Sequence, residues 1–181
     1  MKVLTLLRHA KSSWDDSVAR DFDRPLNRRG RLAARAVGRA MRSEGLIFNA
    51  VVASPAVRVM ETLSEVADSY GASLEPRWEQ RIYLASADTL LEVVHEVADA
   101  ADRVLLIGHS PGMEALALLL TEGTSGALRD ALEIKFPTGT LAEISLDVSA
   151  WGDVAEAKGT LTRFIRPRDL DPALGPDEDS Y

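Results

Sequence analysis

Two of the three histidines, His9 and His109, stand at the ends of short apolar runs, and each is flanked by groups suited to holding an anion. Arg8 precedes His9, Ser110-Pro111-Gly112 follows His109, and a third apolar run leads into Ser54-Pro55-Ala56-Val57-Arg58. Ser-Pro ahead of a periodic apolar segment reads as a helix start, with serine as the cap and proline at the first helical position. The free N–H groups and dipole of such a start favour negative charge. An arginine in the first helical turn opposes that dipole unless an anion lies between them, so Arg58 points to one. Guanidinium forks bind phosphate oxygens in pairs, which lysine cannot copy. If the three runs are neighbouring strands, Arg8, His9, Arg58 and His109 converge on a phosphate pocket, with Ser110 as a further donor. Open α/β sheets collect ligands at the carboxyl ends of their strands, where these residues stand.

The elements that must position them can be read from the apolar pattern. Val3–Leu7, Ala50–Ala53 and Arg103–Gly108 are short, nearly uninterrupted apolar runs, as expected of strands covered on both faces. Asn27 caps a helix whose predicted buried side carries Leu32, Ala36, Val37, Ala40 and Met41, with Gly45 at its end. Val59, Leu63, Val66, Ala67 and Tyr70 define a second helix, and Ser86 opens a third through Leu90, Val94, Val97 and Ala101. A fourth, Met113 to Thr121, is apolar nearly all round and therefore buried. Residues 73–76 read as a short strand, and Ile134–Phe136, Leu141–Leu146 and Gly159–Ile165 as later strands added antiparallel or at an edge. Alternating strands and helices predict an α/β three-layer sandwich, a mostly parallel central sheet with helices on both faces.

Four blocks in order carry a resemblance: Leu7-Arg8-His9-Ala10-Lys11-Ser12; Asp21-Phe22-Asp23-Arg24-Pro25-Leu26-Asn27 with Gly30; Ser54-Pro55-Ala56-Val57-Arg58 with Glu61-Thr62; and Ile107-Gly108-His109-Ser110-Pro111. Together they resemble the histidine phosphatase superfamily, phosphoglycerate mutase-like in fold, and within it the SixA-type phosphohistidine phosphatases. Ala10 stands where the superfamily usually has glycine. The resemblance implies a nucleophilic His9 that takes the phosphoryl group, with Arg8, Arg58 and His109 holding its oxygens and no metal or other cofactor required. Imidazole suits this role near neutral pH when its second nitrogen donates a hydrogen bond. For the proton donor two carboxylates remain open, Glu79 and Asp21, with Asp23 behind them. The alternative function is a phosphate-sensing or phosphopeptide-binding module without turnover, which a missing nucleophile would favour.

Composition narrows the rest. The absence of cysteine excludes disulfide scaffolds, Cys-based zinc sites and thiolate nucleophiles. With 181 residues, 46% of them hydrophobic, one domain is expected over residues 1–166. Residues 167–181 read as an acidic, proline-containing tail, mobile or laid on the surface. That tail holds five acids and one Arg, a net −4 of the chain's −7, so the remaining residues carry −3. The expected substrate is a phosphoprotein or a small phosphate compound; neither nucleic acid nor a membrane is an expected partner, and a cytoplasmic location follows. Arg28, Arg31, Arg35, Arg39 and Arg42 form a basic stripe on the first helix, read as a solvated face ahead of a docking surface. His95 is expected to be partly exposed and inert. Trp14 suits either the substrate entrance or packing of its loop, and Ser12 and Ser13 are read as turn formers before phosphate donors.

Overall fold

A computed structural model of the chain describes residues 1–14 and 20–175, so Asp15, Asp16 and residues 176–181 of the expected tail lie outside it. Its frame is one six-stranded sheet made of β1 (Lys2–Arg8), β2 (Ala50–Ala53), β3 (Pro76–Trp78), β4 (Arg103–Gly108), β5 (Leu141–Leu146) and β6 (Gly159–Ile165). The order is β3-β2-β4-β1-β5-β6. The first four neighbours run parallel, whereas β5 joins β1 and β6 joins β5 antiparallel.

The uninterrupted apolar character of β4 has a direct cause: Val104 and Leu106 face one core, Leu105 and Ile107 the other. The first core is closed by α3 (Ala87–His95), α4 (Gly112–Leu120) and α5 (Ala127–Ile134) through Leu90, Val94, Met113, Leu116 and Leu132. The second is closed by α1 (Arg28–Ser43) and α2 (Val57–Tyr70) through Val37, Met41, Val59, Leu63 and Val66. Helices therefore cover both faces of a mostly parallel sheet, the α/β three-layer architecture expected. Among the described residues no helix is long and apolar enough to cross a membrane.

Several local expectations need correction. Leu32 is 42% exposed, because α1 turns its small residues Gly30, Ala33, Ala34 and Gly38 inward. Val97 and Ala101 lie beyond α3, which stops at His95. Ile134–Phe136 is not a strand: Ile134 ends α5, an amphipathic helix with Leu132 buried, and three residues, Ile-Lys-Phe, are too few to separate the two periods. Ser54 and Ser110 cap nothing, since α2 and α4 start later, at Val57 and Gly112. The arginine stripe is not simply solvated. Arg31 bonds Glu61 and Glu65, and Arg35 bonds Glu65, so α1 is stitched to α2. Exposed His95 donates to the Val154 carbonyl at 2.7 Å. Residues 167–170 form a short helix, α6 (Pro167–Leu170), packed on α1, with Pro167 buried.

Gly30 shows how closely α1 approaches the loop after β1. An added Cβ would lie 2.0 Å from the Lys11 carbonyl oxygen, which already accepts from the Asn27 backbone N–H. Gly30→Ala is therefore expected to destabilise by about 1–3 kcal/mol in urea denaturation. Gly152→Ala, where nothing lies within 4 Å, is the neutral control. Equal midpoints for the two variants would contradict this close approach.

Candidate active site

Strand register brings the predicted residues together. β1, β4 and β2 are neighbours, with Arg8 opposite Gly108 and Ala53 opposite Ile107. Beyond their ends, the His9 N–H donates to the Gly108 carbonyl and the Ser54 N–H to the Ile107 carbonyl. The His9 and His109 rings consequently lie 5.2 Å apart, between centroids. They share a cavity of about 500 Å³ with Arg8, Arg58, Asp21 and Ser110. A larger groove of about 1030 Å³ between α1 and α6 contains no histidine.

His9 Nδ1 lies 2.7 Å from the Ala10 carbonyl oxygen. A carbonyl only accepts, so Nδ1 carries the proton and Nε2 presents its lone pair. Arg58 Nε donates toward that lone pair at 3.3 Å. Burial pushes the His9 pKa down to about 3, and the neighbouring His109, Arg58 and Arg8 push the same way against the Ala10 hydrogen bond. The ring is a neutral imidazole at physiological pH. Ala10 is itself buried and adopts no left-handed backbone, so its Cβ is accommodated where the superfamily usually has glycine. Its N–H donates to Thr62 Oγ1, whose hydroxyl donates to the Arg58 carbonyl.

His109 Nε2 meets Ser54 Oγ at 2.8 Å, and Ser54 Oγ accepts from the Ala56 N–H. The serine hydroxyl can donate to Nε2, and in that tautomer the proton sits on His109 Nδ1. Burial, then Arg58, lowers the His109 pKa to about 3. Among the described residues four buried side-chain polar atoms lack a partner, and three belong to this cavity: Arg8 Nε, His109 Nδ1 and Ser110 Oγ. Unpartnered buried polar atoms are rare, and here they face a cavity from which a bound group could satisfy them. Arg8 is anchored through a bond to the Phe136 carbonyl at 2.7 Å.

The two carboxylates differ. Asp21 takes Arg58 on its carbonyl (2.8 Å) and on Oδ2 (3.1 Å), Tyr83 Oη–H on Oδ2 (2.6 Å) and Arg24 on Oδ1 (2.9 Å). The Tyr83 hydrogen bond, followed by Arg58 and Arg24, holds its carboxyl at about 2 despite opposing burial. Glu79 is not among the residues lining the cavity; Arg77 and Arg81 bind its oxygens, and Arg81 chiefly lowers it to about 2. Half-buried Asp23 pairs with Arg20. Ser12 Oγ accepts from Arg24, and Trp14, 79% exposed, lines the cavity under the Arg24 guanidinium at 3.8 Å.

Four contributors were assigned no role from sequence, although Arg24 and Thr62 stand in the blocks that carry the resemblance. Tyr83 bonds Asp21 and packs edge-on against His109, and Arg24 orders Asp21 and Ser12. Thr62 supports Ala10. Gly139, at φ +75°, turns its N–H to the His9 carbonyl at 3.0 Å, and an added Cβ would meet Pro167 Cγ at 2.8 Å. For Gly139 the sequence signal is an isolated glycine before a strand.

A fold with paired histidines and arginines at the ends of its parallel strands defines a phosphate-handling α/β protein. The histidine phosphatase superfamily (branch 1) model matches residues 4–83. A solved structure from Nakamurella multipartitia, of a candidate phosphohistidine phosphatase SixA, is similar at 33% identity and TM-score 0.80, covering 92% of this chain and 96% of that one. Another candidate SixA, from Agrobacterium tumefaciens, is 25% identical with TM-score 0.76, covering 92% and 98%. An uncharacterized Mycobacterium tuberculosis protein is 34% identical over 164 residues, 90% of this chain and 100% of its own length. The chain belongs to the histidine phosphatase superfamily.

Neutral His9 and His109 give an NMR expectation. Their ring Cε1–H resonances should show no titration between pH 8 and 5, because protonation begins only as pH approaches the lowered pKa of about 3. An inflection near the ordinary 6.5 for either ring would contradict the burial argument.

Proposed function

We propose that the protein is a phosphatase that acts through a phosphohistidine at His9, with a phosphoramidate such as protein phosphohistidine as the preferred substrate. The carrying observation is the His9 Nε2 lone pair facing Arg58 beside three unpartnered buried polar atoms. In this reading Nε2 attacks phosphorus while the bond to the leaving imidazole breaks. Arg8, Arg58, His109 and Ser110 hold the phosphoryl oxygens and offset the charge of the transition state. Water then attacks the same phosphorus, the P–Nε2 bond breaks, and phosphate and free His9 return. Neither step assigns a role to a metal.

The choice of leaving group follows from the acids. An aspartate at about 2 is ionised at neutral pH and has no proton to give. Glu79 is ionised too and bound to Arg81. A leaving imidazole takes its proton from solvent, whereas an alkoxide needs a positioned acid. Asp21 instead acts on Arg58, by fixing two of its nitrogens so that Nε faces His9. The similar SixA-type structures support the phosphohistidine assignment.

Brief incubation with a labelled phosphodonor followed by denaturation tests the intermediate. Acid-labile, base-stable label is expected on the wild type and none on His9→Ala; equal turnover by His9→Ala would overturn the mechanism. Asp21→Asn is expected to lower kcat/KM on a phosphohistidine peptide and on an alkyl phosphate by a similar factor. A true general acid would slow the ester more steeply, within the roughly 10²–10⁴-fold range of acid catalysis. Glu79→Gln is expected to leave both rates intact.

A further inference from the structure

The cavity is larger than its catalytic floor, and its outer part has a chemistry of its own. Among its described lining residues are eight cationic side chains against one carboxylate, Asp21, in a chain whose net charge is −7. Asp21 serves Arg58 and Arg24. The surplus lies at the mouth, where Lys135 leads toward β5 and Arg166 and Arg168 follow β6. Arg166 is paired with Asp169, but the Lys11 and Lys135 ammonium groups make no hydrogen bond or ion pair with described residues.

The mouth also has an apolar element. Leu84, 58% exposed, follows the turn after β3 and lines the same cavity, as does Trp14. Leu84 is held at φ +50°, a left-handed conformation that a leucine adopts at a cost of about 1 kcal/mol or more. β3 and β6 are opposite edges of the sheet, so Leu84 comes from one side and the Lys135, Arg166 and Arg168 group from the other. A single small phosphate compound needs neither an exposed aromatic and leucine nor a basic flank set beyond the phosphoryl site. A peptide needs both, because apolar anchors give affinity and rim charges select and steer the partner.

We propose that this mouth is a docking surface for an acidic stretch flanking the phosphorylated residue of a protein substrate, with carboxylates against Lys135 and Arg168. The proposal rests on the phosphatase reading above. The full chain would be assayed on free phosphohistidine, on a phosphohistidine peptide with three flanking Asp or Glu residues, and on its Gln counterpart. An acidic-to-neutral kcat/KM ratio of about 10 is expected at low ionic strength, falling toward 1 near 0.5 M salt as screening shortens the range of the rim charges. Lys135→Glu with Arg168→Glu should bring the low-salt ratio to 1 or below. Lys135→Gln, a single change at an exposed residue, should lower it part way and guards against misfolding of the double variant.

Turnover of all three substrates with a ratio near 1, unmoved by salt or by these variants, would overturn the docking surface and leave the phosphatase reading standing. Preference for a small bisphosphate over its monophosphate, with no preference between the peptides, would overturn it in favour of a small polyanion. Failure on every substrate, free phosphohistidine included, would instead count against the phosphatase reading.

Discussion

The hydrogen bond from His9 Nδ1 to the Ala10 carbonyl decides where the ring proton sits, and the chemistry proposed for the pocket depends on that placement. Were the proton on Nε2, Arg58 would face a donor with a donor, and the ring would have no lone pair toward the cavity. The backbone that sets the tautomer is braced on each side. Thr62 accepts from the Ala10 N–H, Gly139 donates to the His9 carbonyl, and the β1–β4 register fixes the His9 N–H on Gly108. The tautomer of the proposed nucleophile is therefore a property of the sheet and its loops, not of a neighbouring acid.

Burial and charge reinforce this arrangement. Two imidazoles beside Arg8 and Arg58 remain neutral, since protonating either would add a cation to a desolvated cationic site. One carboxylate, Asp21, orders that site by spreading its oxygens over Arg58, Arg24 and Tyr83. Its low pKa follows from this work as an anchor, and in the proposed mechanism an ionised Asp21 has no proton to give.

The strands were legible because burial on both faces leaves a run such as Arg103–Gly108 without polar interruption. Their ends were legible too, since Arg8-His9, Arg58 and His109-Ser110 place charge and imidazole where ligands collect. Tertiary contacts were not. Ser54 looked like a helix cap, but its hydroxyl serves His109, a residue 55 positions away. Leu32 fits the helical period yet is exposed, because the α1–α2 approach selects small side chains. Asp21 and Glu79 were equivalent as sequence and became distinct only when the folded chain showed which cations each one binds. Of the stretch first read as an acidic tail, residues 167–175 contribute Arg168 and Gly175 to the cavity wall, and no periodicity announces a four-residue helix.

The most direct measurement is the identity of the phosphorylated atom in a trapped phosphoenzyme, read by ³¹P–¹⁵N correlation NMR on protein with labelled histidine. The expected result is a phosphorus coupled to Nε2 of His9, with the proton retained on Nδ1 and hydrogen-bonded to the Ala10 carbonyl. Phosphorus on Nδ1, or on any residue other than His9, would contradict the placement of the ring proton on which the mechanism is built.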